Sequence, residues 1–418
     1  MAAGKSARRA PLILMIGPGL LLAATGVGAG DLATGSFVGG LLGTAVLWAV
    51  VVGAFFKFIV TEGLARWQLA TGETLVEGAV SRLGRVVVLC FLPYLLLWSF
   101  FVGSALMSAS GVTLHAMLPV FDDAERSKVL FGVAASLLGL VLVWFGGYRL
   151  FEHVMRGCIA IMFVTVVLTA ALLWPGTGTV LEGLLVPRIP DAGGQGLPWT
   201  LALIGGVGGT LTVLCYGYWL REDGLTDQDD LRVCRIDLAI GYAMTAIFGI
   251  AMVIVGSSVD IEGSGAQLLV TLSSRLEDVM GPAGKWLFLV GTLGAVFSSL
   301  LGVWQCVPYL FADCWDLLQG GGRDVATRVD TRSVPYRVYL LLIAIVPMLG
   351  LFWGFRDIQL VYAVTGALLF PVLALALLIF NGRSKWVGTD FVNRPLTVAA
   401  LVVVLVFFTW IGLRPYVS

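Results

Sequence analysis

Apolar runs of 18 or more residues follow one another along most of the chain, separated by glycine, proline and small charge clusters. A run of that length crosses hydrocarbon as a helix, because each backbone group then bonds inside its own segment. The pattern predicts eleven spans, near 12–35, 39–66, 86–112, 129–147, 150–174, 197–220, 235–257, 284–312, 337–354, 358–381 and 396–414. Two of these runs are irregular. In span 1, "LAATGVGAGDLATG" sets Gly26, Gly28, Gly30, Gly35 and the carboxylate of Asp31 inside an apolar helix. In span 6, "IGGVGGTLTVLC" carries Gly205, Gly206, Gly208 and Gly209. A backbone interruption in lipid survives only where it is buried in protein or lines a cavity. Paired interruptions five spans apart point to an inverted-repeat transporter whose site lies at the midplane between them. The expectation is one all-α transmembrane domain, with repeats over about 12–174 and 197–381 and an added helix at 396–414. Glycines that merely let helices pack closely are the alternative.

Composition sharpens this reading. Hydrophobic residues make up 58% of the 418, charged ones 12%, and the mean hydropathy is +0.95, which requires lipid as solvent. The 26 basic and 26 acidic residues balance, so no nucleic-acid partner is indicated. Two histidines and six scattered cysteines argue against a His/Cys metal cluster, and no cofactor is implied. No cleavable signal peptide is expected, because the first run lacks a small-residue cleavage site. With the N-terminus in the cytoplasm, Lys and Arg divide 18 inside against 7 outside, with Lys57 within span 2. The positive-inside rule therefore supports eleven spans with the C-terminus outside. Trp48, Trp67, Trp174, Trp199, Trp353 and Trp410 fall near span ends, as interfacial anchors do.

Charges within the spans are functional candidates by default. Asp31 is either the N-cap of the second half of span 1 or a ligand for a coupling cation or substrate. Lys57 pairs with an acid on another span, snorkels, or adds positive potential near an anion path. Glu62 stands four residues from Arg66, the spacing of an ordinary helix pair, and is kept as a coupling candidate. Arg221, Glu222 and Asp223 mark a cytoplasmic helix end or a gating pair with span 1 or span 8. Asp313 and Asp316 share a face near the inner end of span 8, and His115 and His153 receive no role.

The chain also resembles the Nramp (natural resistance-associated macrophage protein) family of proton-coupled divalent-metal transporters. The segments that carry the likeness are "GPGLLLAATGVGAGD", "ARWQLATGETLVEG", "GGYRLFEHVMRG", Gln305 in "GVWQCVP", and Pro371. The resemblance implies the LeuT-type fold, with helices 1 and 6 broken. It does not carry over the family's metal site. Where the family has Asp-Pro-Gly-Asn, this chain has Gly28-Ala29-Gly30-Asp31. Where the family has Ala-x-x-Met-Pro-His, it has Thr210-Leu211-Thr212-Val213-Leu214-Cys215. The soft thioether ligand thus becomes Val213 and the family's histidine becomes Cys215. Span 3, "LPYLLLWSFFVGSALMSASG", contains no acid.

What remains is a set of donors and one carboxylate. Thr25, Gly26, Gly28, Ala29, Gly30, Gly208, Gly209, Thr210, Thr212 and Gln305 are the expected substrate contacts, with Asp31, Lys57 and Glu62 coupling candidates. Backbone N–H groups and hydroxyls suit a small oxyanion such as bicarbonate. Such an anion needs a cation, Na⁺ or H⁺, to enter against an inside-negative potential of about 2.3 kcal/mol per charge per 100 mV. A hard divalent cation such as Mg²⁺, with Asp31 as ligand, is the alternative, and Mn²⁺ or Fe²⁺ follows behind it. A neutral solute or amino acid is a third option. No nucleophile motif, metal triad or phosphate loop supports an enzyme. A channel would share the broken helices but would show neither saturation nor coupling. The expected setting is a bacterial inner membrane, with the chain most simply a monomer.

Overall fold

The computed structural model describes residues 17–259, 265–320 and 330–417. Among these, all regular structure is helical. The expected start of span 1 before Gly17, and the charges at Lys5, Arg8, Arg9, Arg323 and Arg328, lie outside the described residues.

Among the described residues, nine helical runs are long and apolar enough to cross a membrane. One of them, Pro18–Thr71, holds spans 1 and 2, which separate at Gly43 where φ is +65°. The shorter apolar run Pro395–Trp410 belongs to span 11, so all eleven expected spans have a helix. Spans 4 and 5, Ala124–Gly146 and Tyr148–Leu172, follow each other with no loop between them, against the short break expected at 148–149. Span 3 runs from Val86 to Met117 and span 8 from Pro282 to Gln319, each past its expected end. Apolarity sets only the part of a helix in lipid, and these helices continue into the polar layer.

Side-chain contacts sort the loops into two groups that match the expected alternation. Arg66 donates to the carbonyls of Phe391 and Val392, and Arg221 to Glu77. At the other end Lys128 donates to the Trp353 carbonyl at 2.8 Å, and Trp48 to that of Arg188 at 3.1 Å. One missed span would have put these partners on opposite faces.

The tryptophan expectation needs correction at two positions. Trp67 is fully buried against Phe380 and Trp386, and Trp199 is buried against Phe37. Trp67 sits against the short helices Leu75–Leu83 and Ser384–Val387, which the hydropathy pattern does not reveal. Trp174, Trp353 and Trp410 are exposed at span ends.

The core forms where spans 1, 6 and 8 meet spans 2, 3, 7 and 10. Span 6 is buried over most of its length, whereas span 4 presents most of its surface outward. Small residues of span 1 produce this crowding, because helices without bulky side chains approach closely in lipid.

Candidate functional site at the paired helix interruptions

The two interruptions differ in kind. In span 6 the helix Gly196–Gly206 ends outright. Gly208 and Gly209 then take φ of +72° and +88°, which residues with a Cβ rarely adopt. The chain re-enters helix through a tight turn at Leu211–Cys215 and continues as Tyr216–Asp223. In span 1 the chain stays helical but widens into a π-helical stretch, Val27–Ala33, between Pro18–Gly26 and Thr34–Leu42. No glycine there has positive φ. Such π-stretches leave main-chain groups off the regular ladder and are frequent at functional sites.

The glycines of span 1 lie directly on span 6 and span 8. A Cβ on Gly26 would enter the Gly208–Gly209 backbone, and one on Gly30 would meet the Gly206 carbonyl. One on Gly28 would meet Ser299 of span 8. Close packing therefore operates here together with the interruption, and the two sequence readings are not exclusive.

Neighbouring side chains satisfy most of the freed groups. Gly28 N–H donates to Ser299 Oγ at 2.6 Å, and Ser299 donates to the Ala24 carbonyl at 2.8 Å. The Ala29 carbonyl accepts from Gln359 Nε2 and from Thr34 Oγ1. Asp31 is fully buried and does not cap its own helix, since the second half of span 1 has no side-chain cap. Asp31 instead accepts the Gly208 N–H of span 6 at 3.0 Å, and its Oδ1 has no partner. Lys57, also fully buried, donates to the carbonyls of Gly205, Val207 and Gly209. It neither snorkels nor hydrogen-bonds an acid. Asp31 and Lys57 are each other's charged neighbour. One acid and one base thus stand side by side at the interruption.

The remaining candidates separate cleanly. Thr210 Oγ1 accepts from Trp98 Nε1 at 2.7 Å, and Thr212 Oγ1 is buried without a partner. Thr25 donates to its own helix at the Leu21 carbonyl and packs on Gly302. Gln305 Oε1 accepts from Trp219 Nε1 at 2.9 Å. It stands six residues beyond Ser299, about 9 Å along span 8. Glu62 is not brought to the interruption and bridges Arg66 at 3.3 Å and Arg235 at 2.8 Å.

A cavity of about 450 Å³ opens among the charge-rich loops. Glu222, Asp330, Arg332 and Arg337 contribute its charges, Tyr148, Tyr309 and Tyr336 its hydroxyls, and Gln305 lines it from span 8. Around it, Arg221 forms a two-point pair with Glu77 and bonds the Gly72 carbonyl. Glu77 also closes a capping box with Thr74. The gating pair expected from Arg221 therefore goes to the segment after span 2, not to span 1 or 8. Tyr309 of span 8 donates to Glu222, and Tyr148 to Asp223.

Sequence reading missed Ser299, Gln359, Trp98 and Asp237. Asp237 of span 7 accepts the Gly19 N–H at 2.6 Å and the Tyr216 hydroxyl at 3.0 Å, so it caps span 1 from outside. Gln359 and Asp237 each stand two residues inside a span, just past the charged residues Asp357 and Arg235 that mark its end, so both read as part of a polar helix end. Ser299 and Trp98 carried no signal, because both fit an apolar helix. The thiols of Cys215 and Cys306 also meet, joining spans 6 and 8, though nothing in their spacing indicates it.

Known proteins are similar to this chain in sequence or in fold. The chain is 24% identical over 314 residues to the "Divalent metal cation transporter MntH" of Chromohalobacter salexigens, covering 71% of this chain and 70% of that one. It is 24% identical over 297 residues to the protein of the same description from Mycobacterium tuberculosis, covering 68% and 67%. A mutant of the Eremococcus coleocola manganese transporter superposes with a TM-score of 0.75 at 17% identity, over 99% of this chain and 88% of that one. MhsT in complex with L-phenylalanine superposes with a TM-score of 0.62 at 13% identity, over 96% and 97%. These structural likenesses establish the fold, and the profile of the family described as "Natural resistance-associated macrophage protein-like" matches residues 19–416. The chain is therefore a multi-pass membrane protein that belongs to the Nramp family.

Proposed function

We propose that the protein is a secondary transporter that carries a small oxyanion of bicarbonate's size together with Na⁺ or H⁺. The two halves, about 12–174 and 197–381, act as inverted repeats rocking about the interruptions, in a bacterial inner membrane. One observation carries the oxyanion reading: Lys57 already fills the carbonyl oxygens freed in span 6 and offsets Asp31. A divalent cation arriving there meets no net negative charge to replace its hydration. Among the described residues no group of three His, Cys, Asp or Glu side chains converges as metal ligands. An anion meets the unpartnered Thr212 hydroxyl, with Lys57 beside Asp31. The free Oδ1 of Asp31 is the place for the coupling cation. In this reading the substrate enters through the charge-rich cavity that Gln305 lines.

A second reading has its own support. The curated relatives are described as divalent metal cation transporters, and Asp31 Oδ1 is an unused hard ligand. Uptake into proteoliposomes under an inside-negative potential separates the two, with bicarbonate, Mn²⁺ and Mg²⁺ compared with and without Na⁺ and pH gradients. The oxyanion reading expects saturable bicarbonate uptake that depends on one gradient, lost in Asp31→Ala, with no metal flux. Saturable Mn²⁺ or Mg²⁺ uptake without bicarbonate flux overturns it and makes Asp31 a metal ligand.

A further inference from the structure

A lysine buried in mid-membrane normally ion-pairs or snorkels. Lys57 does neither. The helix Gly196–Gly206 stops inside the protein, and its last carbonyls lack helical partners. Three main-chain oxygens converge on one point, with Gly205, Val207 and Gly209 at 2.6, 2.9 and 2.6 Å from Lys57 Nζ. An ammonium has three donors, and all three are used here. The ring of Phe370 covers the ammonium at 4.2 Å from its centroid. Asp31 is its acidic neighbour and takes no hydrogen bond from it. Converging carbonyls that replace a hydration shell, closed by a π-face, form the environment of a dehydrated monovalent cation.

We propose that Lys57 is a tethered cation occupying a monovalent-cation site built from the Gly205, Val207 and Gly209 carbonyls. Shortening Lys57 opens that site to a free ion of ammonium's size, such as K⁺ or methylammonium. The inference goes beyond the transport reading and holds whatever the substrate is. It has a consequence for coupling: the charge in this position is covalently attached and does not cross with the substrate. The geometry also explains why the broken end of span 6 stays ordered, since span 2 carries its counter-charge on a side chain.

The test is thermal melting of the purified full-length chain in detergent, in choline, potassium or methylammonium chloride at one ionic strength and pH. Lys57→Ala vacates the site. Lys57→Met fills the stem but leaves no room for an ion. Wild type and Lys57→Met should each keep its own melting temperature unchanged across the three salts, with Lys57→Met lower than wild type because its three carbonyls lose their donor. Lys57→Ala should melt lower than wild type in choline and rise by about 2–5 °C in potassium or methylammonium, as expected for a ligand that binds only the folded state. If Lys57→Ala aggregates in choline, purification throughout in each salt becomes the readout. Monodisperse protein in potassium or methylammonium alone supports the proposal, and aggregation in all three overturns it. It is also overturned if Lys57→Ala is indifferent to the salt, or if Lys57→Met responds as Lys57→Ala does. No readout involves flux, so failure of the oxyanion reading would leave this result standing.

Discussion

Gly28 is the position that the family resemblance sets against an aspartate, and the structure leaves little room there for a larger residue. A Cβ built on Gly28 lies 2.6 Å from Ser299 Oγ, 2.7 Å from Ser299 Cβ and 2.9 Å from the Ala295 carbonyl. Ordinary contact begins at 3.4 Å, so span 8 must retreat by about 0.8 Å or Ser299 must change rotamer. Either response breaks the bonds that Ser299 makes to the Gly28 N–H and the Ala24 carbonyl. A stranded buried polar group costs about 1–3 kcal/mol, and overpacking about 1–3 kcal/mol more. Alanine's advantage over glycine within a helix returns about 1 kcal/mol. Gly28→Ala should therefore destabilise by about 1–5 kcal/mol. With an unfolding entropy of roughly 2.1 cal/mol/K per residue, that lowers the melting temperature by about 1–6 °C in a chain of this length. The control is Gly157→Ala, whose Cβ meets nothing within 4 Å. The companion is Gly28→Ala with Ser299→Gly, which removes the two nearest atoms and leaves the Ala295 carbonyl, and should recover about 1 kcal/mol of the loss as non-additivity. The reasoning fails if Gly28→Ala melts with Gly157→Ala, or if the added Ser299→Gly makes matters worse.

Two further outcomes follow from buried polar contacts. The Arg221–Glu77 pair has side chains 5% and 15% exposed, so Glu77→Ala leaves an uncompensated guanidinium and should cost about 3 kcal/mol; a double-mutant cycle with Arg221→Met should give a coupling above about 1 kcal/mol, and additivity would show that the pair contributes nothing. Gln359→Leu removes one of two donors to the Ala29 carbonyl and should lower the melting temperature by about 1–2 °C; an unchanged melt would mean that Thr34 alone satisfies the π-helical turn.

The sequence by itself determined the number of spans, their alternation across the bilayer and the location of both interruptions. Those features depend on local composition, since hydrocarbon thickness fixes the length of an apolar run and glycine marks where helix fails. It also gave the content of the interruption in span 6, where adjacent glycines adopt φ that other residues avoid. Only the tertiary structure decided how the freed groups are satisfied. Lys57 is 148 residues from the Gly205 carbonyl it caps, Asp31 is 177 from Gly208, and Ser299 is 271 from Gly28. Nothing in local pattern specifies partners at such separations. The same holds for Glu62, whose spacing from Arg66 was legible but whose second partner, Arg235, lies on span 7. A charge inside a span announces that some partner exists, because hydrocarbon cannot solvate it. Which partner it finds depends on how the helices pack, and here packing gave Lys57 three carbonyl oxygens and gave Asp31 a single N–H.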